Sequence, residues 1–178
     1  RIFVRAFQDG RPIAPHWAEW CESIARGIFR DAFICIYPAI FIEDVFIQTS
    51  VKTLSLSFDY WVRNNTGKLQ TILVKPGFSS WNGVNWTYPP IAETQIQAKP
   101  FASTKVSVGP ITWEAGKDSF WWPNLPYQEG YQAQLHNLVL SYRIESDSSS
   151  YKTETRFGFR EICQEGPFYE LNRVRINF

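Results

Sequence analysis

The sequence predicts an all-β sandwich, and three observations carry that prediction. Strict apolar/polar alternation runs through residues 54–62. Leu54, Leu56, Phe58, Tyr60 and Val62 share one face, and Ser55, Ser57, Asp59, Trp61 and Arg63 the other. About seven such runs follow one another at short spacing, each bounded by turn residues. Only one stretch, residues 16–26, has helix length, and Trp17, Trp20 and the flanking Pro12, Pro15 and Gly27 suit an irregular loop equally well.

Taken in chain order, Arg1-Ile2-Phe3-Val4-Arg5 alternates as a strand and has no signal-peptide character. Residues 28–36 form an apolar strand run that closes a first unit, with Cys35 expected in its core. A boundary is placed at Tyr37-Pro38, and residues 40–47 open a second unit. Asn64-Asn65-Thr66-Gly67 turns the chain, so that residues 54–62 and 69–74 read as a hairpin. Residues 76–90 read as one long aromatic loop. Residues 92–98 form a strand with Glu93, Gln95 and Gln97 outward, and residues 104–108 a short one. Leu138, Leu140, Tyr142 and Ile144 mark a long strand, the run from Ser146 to Ser150 a loop, and Thr153, Thr155, Phe157 and Phe159 the next strand. A further junction falls at residues 161–166. The alternation of Val174, Ile176 and Phe178 against Arg173 and Arg175 continues to the last residue. It is expected to be a strand in progress in a longer protein.

Composition narrows the function. The net charge is +1 and no Lys/Arg run occurs, which argues against a nucleic-acid partner. No apolar stretch is long enough for a membrane span. The eight Trp among 17% aromatic residues allow a modest sandwich a substantial core. The three cysteines, at wide spacing, fit no metal or redox motif. Two glycosylation triplets, Asn64-Asn65-Thr66 and Asn85-Trp86-Thr87, are of the kind that chance supplies.

Catalytic machinery is not legible. The two histidines, His16 and His136, lie in no nucleophile motif. No phosphate-binding loop and no metal-ligand spacing is present, so no cofactor is expected. Glu43 and Asp44, adjacent in a strand, are expected on opposite faces. Glu114 and Asp118 suit salt bridges or turn caps. The best ligand candidates are Trp81, Asn82, Asn85, Trp86 and Tyr88, where flat rings to stack on sugar C–H faces alternate with amides for hydroxyls. The alternative is that this loop packs on its own sandwich or on a neighbouring domain.

Four segments, in order, resemble the non-catalytic front portion of glycoside hydrolase family 2, the β-galactosidase, β-mannosidase and β-glucuronidase group. Gly27-Ile28-Phe29-Arg30-Asp31-Ala32-Phe33 is similar to the segment closing that family's jelly roll. Ile42-Glu43-Asp44-Val45-Phe46-Ile47 resembles the opening strand of its immunoglobulin-like domain. Trp121-Trp122-Pro123-Asn124 with Pro126-Tyr127 resembles a turn late in that domain. Phe157-Gly158-Phe159-Arg160 and Phe168-Tyr169-Glu170-Leu171-Asn172 resemble the entry into the catalytic barrel. Ala32 replaces the usual Val, and Arg173 stands where Gly usually follows Asn172 in a tight turn.

The resemblance implies a jelly-roll tail at residues 1–37, an immunoglobulin-like β-sandwich at 38–160, and a lead-in at 161–178 to a catalytic (β/α)8 barrel that this chain lacks. It implies catalytic glutamates in that barrel and none here, with carbohydrate met through the parent enzyme. The compartment stays open, with a periplasmic or secreted setting preferred to a cytoplasmic one. Arg30 and Arg160 would secure domain seams, and Trp121, Trp122 and Pro123 would form a rigid apolar turn. A free-standing carbohydrate-binding module and an immunoglobulin-like interaction domain are the competing readings.

Overall fold

A computed structural model of the chain describes residues 31–123, 129–147 and 149–176. The expectations for residues 1–5, 16–26 and 27–30, and for Asn124, Pro126, Tyr127 and Phe178, lie outside the described residues. The chain divides into two compact units, Arg1–Tyr37 and Pro38–Phe178.

Among its described residues the second unit contains ten strands. They are β1 (Ile40–Ser50), β2 (Ser55–Asn64), β3 (Gln70–Ser80), β4 (Thr94–Ala98), β5 (Ser103–Thr112), β6 (His136–Ile144), β7 (Ser150–Phe157), β8 (Ile162–Glu165), β9 (Phe168–Leu171) and β10 (Val174–Ile176). One sheet has the order β1-β2-β5 and the facing sheet β4-β3-β6-β7. Every pairing is antiparallel. This is an immunoglobulin-like sandwich. The alternation in β2 does what its pattern dictates, since Leu56, Phe58, Tyr60 and Val62 are all buried. They meet Ile72, Val74, Leu138 and Leu140 from the opposite sheet in one continuous core.

Four expectations are corrected. Strands β2 and β3 are not a hairpin, because they belong to different sheets. The side chain of Asn64, buried in the connection, explains the crossing. Its Nδ2 donates to the carbonyls of Lys68 (2.9 Å) and Ala98 (3.0 Å), and its Oδ1 accepts from the backbone N–H (2.8 Å) and hydroxyl (2.7 Å) of Thr66. Those bonds fix a corner between sheets rather than a two-residue turn. Secondly, β3 runs on through Pro76 to Ser80, so the aromatic loop begins only at Trp81. Strand β4 pairs with β3 only as far as Val74, which leaves an open edge where a proline is tolerated.

Thirdly, the register between β1 and β2 shifts between Ile42 and Asp44, and the bulge leaves Glu43 and Asp44 both exposed instead of on opposite faces. Glu43 accepts a hydrogen bond from the Ser103 hydroxyl at 2.8 Å, and Asp44 accepts from the Val45 N–H at 2.8 Å. Finally, residues 31–38 form no strand, and Cys35 is exposed rather than a core residue. An apolar run is buried only where another element covers it, and among the described residues no strand pairs with this one.

The last segment is a small antiparallel sheet, β10-β9-β8. Leu171 pairs with Val174, and the two residues between them, Asn172 (φ 52°) and Arg173 (φ 67°), are both left-handed. This two-residue turn favours Asn followed by Gly. The Arg173 ion pair with Glu161, at 3.7 Å and partly exposed, offsets little of the strain. Arg173→Gly is therefore expected to stabilise the β9–β10 turn by about 1 kcal/mol. Hydrogen exchange should show the amides of β9 and β10 protected about fivefold more in the variant; unchanged or faster exchange would contradict this.

Candidate functional site

The densest chemistry lies at one end of the sandwich, around the Trp113 ring. Trp113 follows β5 and is 2% exposed. Its ring stacks on Phe159 (4.8 Å between centroids) and meets Phe78, Tyr88, His136 and Phe157 edge-on at 5.1 to 5.9 Å. Phe120 stacks on the far side of Phe159 at 5.1 Å. Aromatic pairs in these geometries add stability beyond their buried area.

A polar chain threads the cluster. The Trp113 indole N–H donates to the Ser119 hydroxyl (2.8 Å), which donates to the Gly116 carbonyl (2.6 Å). His136, wholly buried at the start of β6, lies 2.8 Å from the Ser119 carbonyl through Nε2 and 2.8 Å from the Tyr88 hydroxyl through Nδ1. A carbonyl only accepts, so Nε2 carries the proton and the neutral ring's Nδ1 accepts from Tyr88. Burial pushes the His136 pKa down, with the Ser119 carbonyl opposing it. Burial likewise pushes the Tyr88 hydroxyl up to about 12. Neither group is poised to exchange a proton near neutrality, so the network is a neutral structural one.

The lowered His136 pKa has a defined sign. Below the unfolded value of about 6.5 the unfolded chain takes up a proton that the folded chain refuses. The stability present above that pH is lost as pH falls, and the loss levels off below the folded pKa. A denaturation series between pH 7.5 and 5 should show the decline in the native chain, and His136→Gln should flatten it. His16 is common to both proteins and cancels. Parallel pH profiles would exclude this role for His136.

The five sugar-contact candidates differ in exposure, with Trp81 and Asn85 exposed and Asn82, Trp86 and Tyr88 half-buried. Tyr88 is bound into the network, and Trp86 and His136 form a T-shaped pair with ring centres 6.3 Å apart. Asn82 uses its side-chain carbonyl to accept the Leu135 N–H at 2.8 Å. Trp81 (53% exposed) and Asn85 remain open to solvent. The Arg156 guanidinium lies 4.4 Å from the Trp81 ring centre.

The expected entry motif, Phe157-Gly158-Phe159-Arg160, has a physical account. Phe159 enters the aromatic cluster. A Cβ at Gly158 would lie 2.7 Å from Trp121 Cβ and Cγ, so only glycine lets that indole lie against the backbone. Arg160 then stacks on the Trp121 ring at 4.7 Å. Asn172, 6% exposed, joins this layer to the small sheet. Its Nδ2 donates to the Trp121 carbonyl (2.8 Å), its Oδ1 accepts from the Glu161 N–H (3.0 Å), and its own N–H donates to the Glu161 carbonyl (2.8 Å). The Glu161 carboxylate in turn accepts the Val51 N–H at 2.7 Å, beyond the end of β1.

Among the described residues two carboxylates are shifted, both downward. Asp59 is shifted down, chiefly by hydrogen bonds from Lys105 and Ser107, and Asp147 by those from Ser149. A general acid needs the opposite shift. Among the described residues no group of three or more His, Cys, Asp or Glu side chains could hold a metal ion. No described helix is long and apolar enough to cross a membrane.

The sequence reading missed Trp113, Ser119 and His136 as a unit. One signal for His136 was available, since the alternation of Leu138, Leu140 and Tyr142 extended backward puts His136 on the inward face.

No family model and no curated protein matches the sequence. Solved structures do match. A GH2 β-galacturonidase from Eisenbergiella tayi, in a structure bound to galacturonate, superposes with a TM-score of 0.58 at 18% identity, over 76% of this chain and 21% of that one. A β-glucuronidase from Bacteroides uniformis gives 0.53 at 16% identity over 73% and 15%. An exo-chitosanase from Amycolatopsis orientalis gives 0.53 at 15% identity over 78% and 15%. The chain thus spans about a fifth of the galacturonidase's length and less of the other two. At these identities the likeness is one of fold, and the fold is GH2-like.

Proposed function

We propose that the chain is the non-catalytic β-sandwich scaffold of a family 2 glycoside hydrolase whose parent cleaves O-glycosidic bonds of carbohydrates. In this reading residues 1–37 are the tail of a jelly roll, residues 38–160 the immunoglobulin-like scaffold, and residues 161–178 the lead-in to a catalytic barrel in the same polypeptide. The observation that carries the reading is the GH2-like fold, found over about three quarters of the chain. One further feature supports it. Asn172 secures residues 161–176 to the end of the sandwich, as a scaffold that sets the position of a following domain requires.

The test has two parts. Assays of the purified 178-residue chain on aryl β-galacturonide, β-glucuronide and β-glucosaminide should give no hydrolysis. The coding sequence read onward from the Phe178 codon should encode a barrel with two catalytic glutamates. Turnover by the 178-residue chain that disappears on replacing one of its own carboxylates would end the scaffold reading.

A further inference from the structure

The edge strands of the two sheets, β1 and β7, meet at a cleft of about 330 Å³ lined by Ile47, Thr49, Arg156, Phe157, Gly158 and Arg160. Both arginines are exposed, and each lies over a tryptophan, Arg156 over Trp81 and Arg160 over Trp121. Stacking restrains a guanidinium without using its N–H donors, which lie in the plane of the fork. It therefore presets two forks at one cleft and leaves their edges available.

No carboxylate lines this cleft. The nearby ones are committed elsewhere. Glu161 accepts the Val51 N–H and pairs with Arg173, and Glu154 pairs with Lys152. Thr49 donates its hydroxyl to the Arg160 carbonyl at 2.5 Å, which holds the β1 side of the cleft to the Arg160 backbone. Neither arginine has a salt-bridge partner among the described residues. Two cations lining one cleft leave it electropositive, and an anion bound there would offset their repulsion. The ligand best matched to two planar forks is a carboxylate, whose two oxygens accept bidentate bonds.

We propose that the Arg156–Arg160 cleft is a carboxylate-binding site. Its volume lies at the lower end of small-ligand pockets and admits one monosaccharide acid or one acidic side chain. Those two sources share the same chemistry. The site does not depend on the glycosidase reading.

The experiment is a titration of the ¹⁵N-labelled chain at constant, low ionic strength, following the Arg Nε–H and Trp indole N–H signals. Signals are assigned by their loss in Arg156→Gln and Arg160→Gln. Sodium glucuronate should move the signals of Arg156, Arg160, Trp81 and Trp121 together, with half-saturation in the millimolar range, and glucose should not. Each Arg→Gln variant should raise the half-saturation about tenfold, the effect of losing one charge-assisted contact. Both arginines are exposed, so the variants should keep the native circular dichroism spectrum. Arg143→Gln, on the opposite end of β6, should bind as the native chain does. A glutamate-rich peptide that displaces glucuronate at lower concentration would identify a protein segment as the source, and weaker competition would identify a sugar acid. The proposal is overturned if sodium chloride moves the same signals equally, or if the two variants bind glucuronate as the native chain does.

Discussion

Replacing Trp113 with alanine is expected to lower the free energy of unfolding by about 3–5 kcal/mol. Among the described residues the Trp113 ring meets those of five neighbours. Removing the indole opens a cavity bordered by Phe78, Tyr88, His136, Phe157 and Phe159, which come from β3, the loop after it, β6, β7 and the segment beyond. It also strands the Ser119 hydroxyl without its indole donor. Elements from so many places cannot all close in on one hole, so the cavity term should persist. Urea denaturation measures the effect, and Trp113→Phe should recover part of it by refilling volume. A loss under about 1 kcal/mol for the alanine variant would show that the cluster relaxes freely and that this packing is peripheral to stability.

Asn64→Ala should cost about 2–4 kcal/mol, a large loss for one polar side chain. The amide is wholly buried and makes four hydrogen bonds, two as donor and two as acceptor. Alanine leaves the Ala98 carbonyl and the Thr66 N–H without these partners, and unmade bonds cost more than made ones gain. Asn64→Asp separates the two halves of the network. Its carboxylate keeps the acceptor for Thr66 but sets a charge against the carbonyls of Lys68 and Ala98. It should therefore be no more stable than the alanine variant at pH 7. Native-like stability in either variant would remove Asn64 as the fixing point of the corner between sheets.

The all-β class was legible because burial follows period two wherever one strand face meets a core, as β2 shows without a break. The partners of each strand were not legible. Residues 54–62 and 69–74 carry the same alternation whether they pair with each other or face each other, so the pattern cannot separate a hairpin from a sandwich corner. Asn64 held the answer, yet its amide reads as a turn residue until Lys68 and Ala98 are seen to surround it. Pro76 reads as a loop residue from the sequence because an unpaired edge is a property of the neighbouring strand's length. The Glu43 bulge and the exposure of Cys35 likewise depend on what lies opposite. In the candidate site, Trp81 and Asn85 stay at the surface, while Tyr88 and Trp86 turn inward because His136 presents a buried partner from a strand 48 residues beyond Tyr88. Arg173 was legible only in part: the alternation drew it into the strand of Val174 and Ile176, and only the resemblance to an Asn-Gly turn pointed to the left-handed position it occupies.

The buried amide of Asn64 also bears on how the protein is produced. Asn64-Asn65-Thr66 is an acceptor triplet for N-linked glycan, and so is Asn85-Trp86-Thr87. At Asn85 the side chain is exposed, and a glycan attached there would extend into solvent. At Asn64 the nitrogen that a glycan would occupy already donates to two carbonyls inside the fold. A host that modifies nascent chains in its secretory pathway would add a bulky sugar where the finished sandwich has no room for it. Yeast or insect-cell secretion would then divide the product into chains glycosylated only at Asn85, which fold, and chains carrying sugar at Asn64, which do not. A host that adds no N-linked glycan avoids that division.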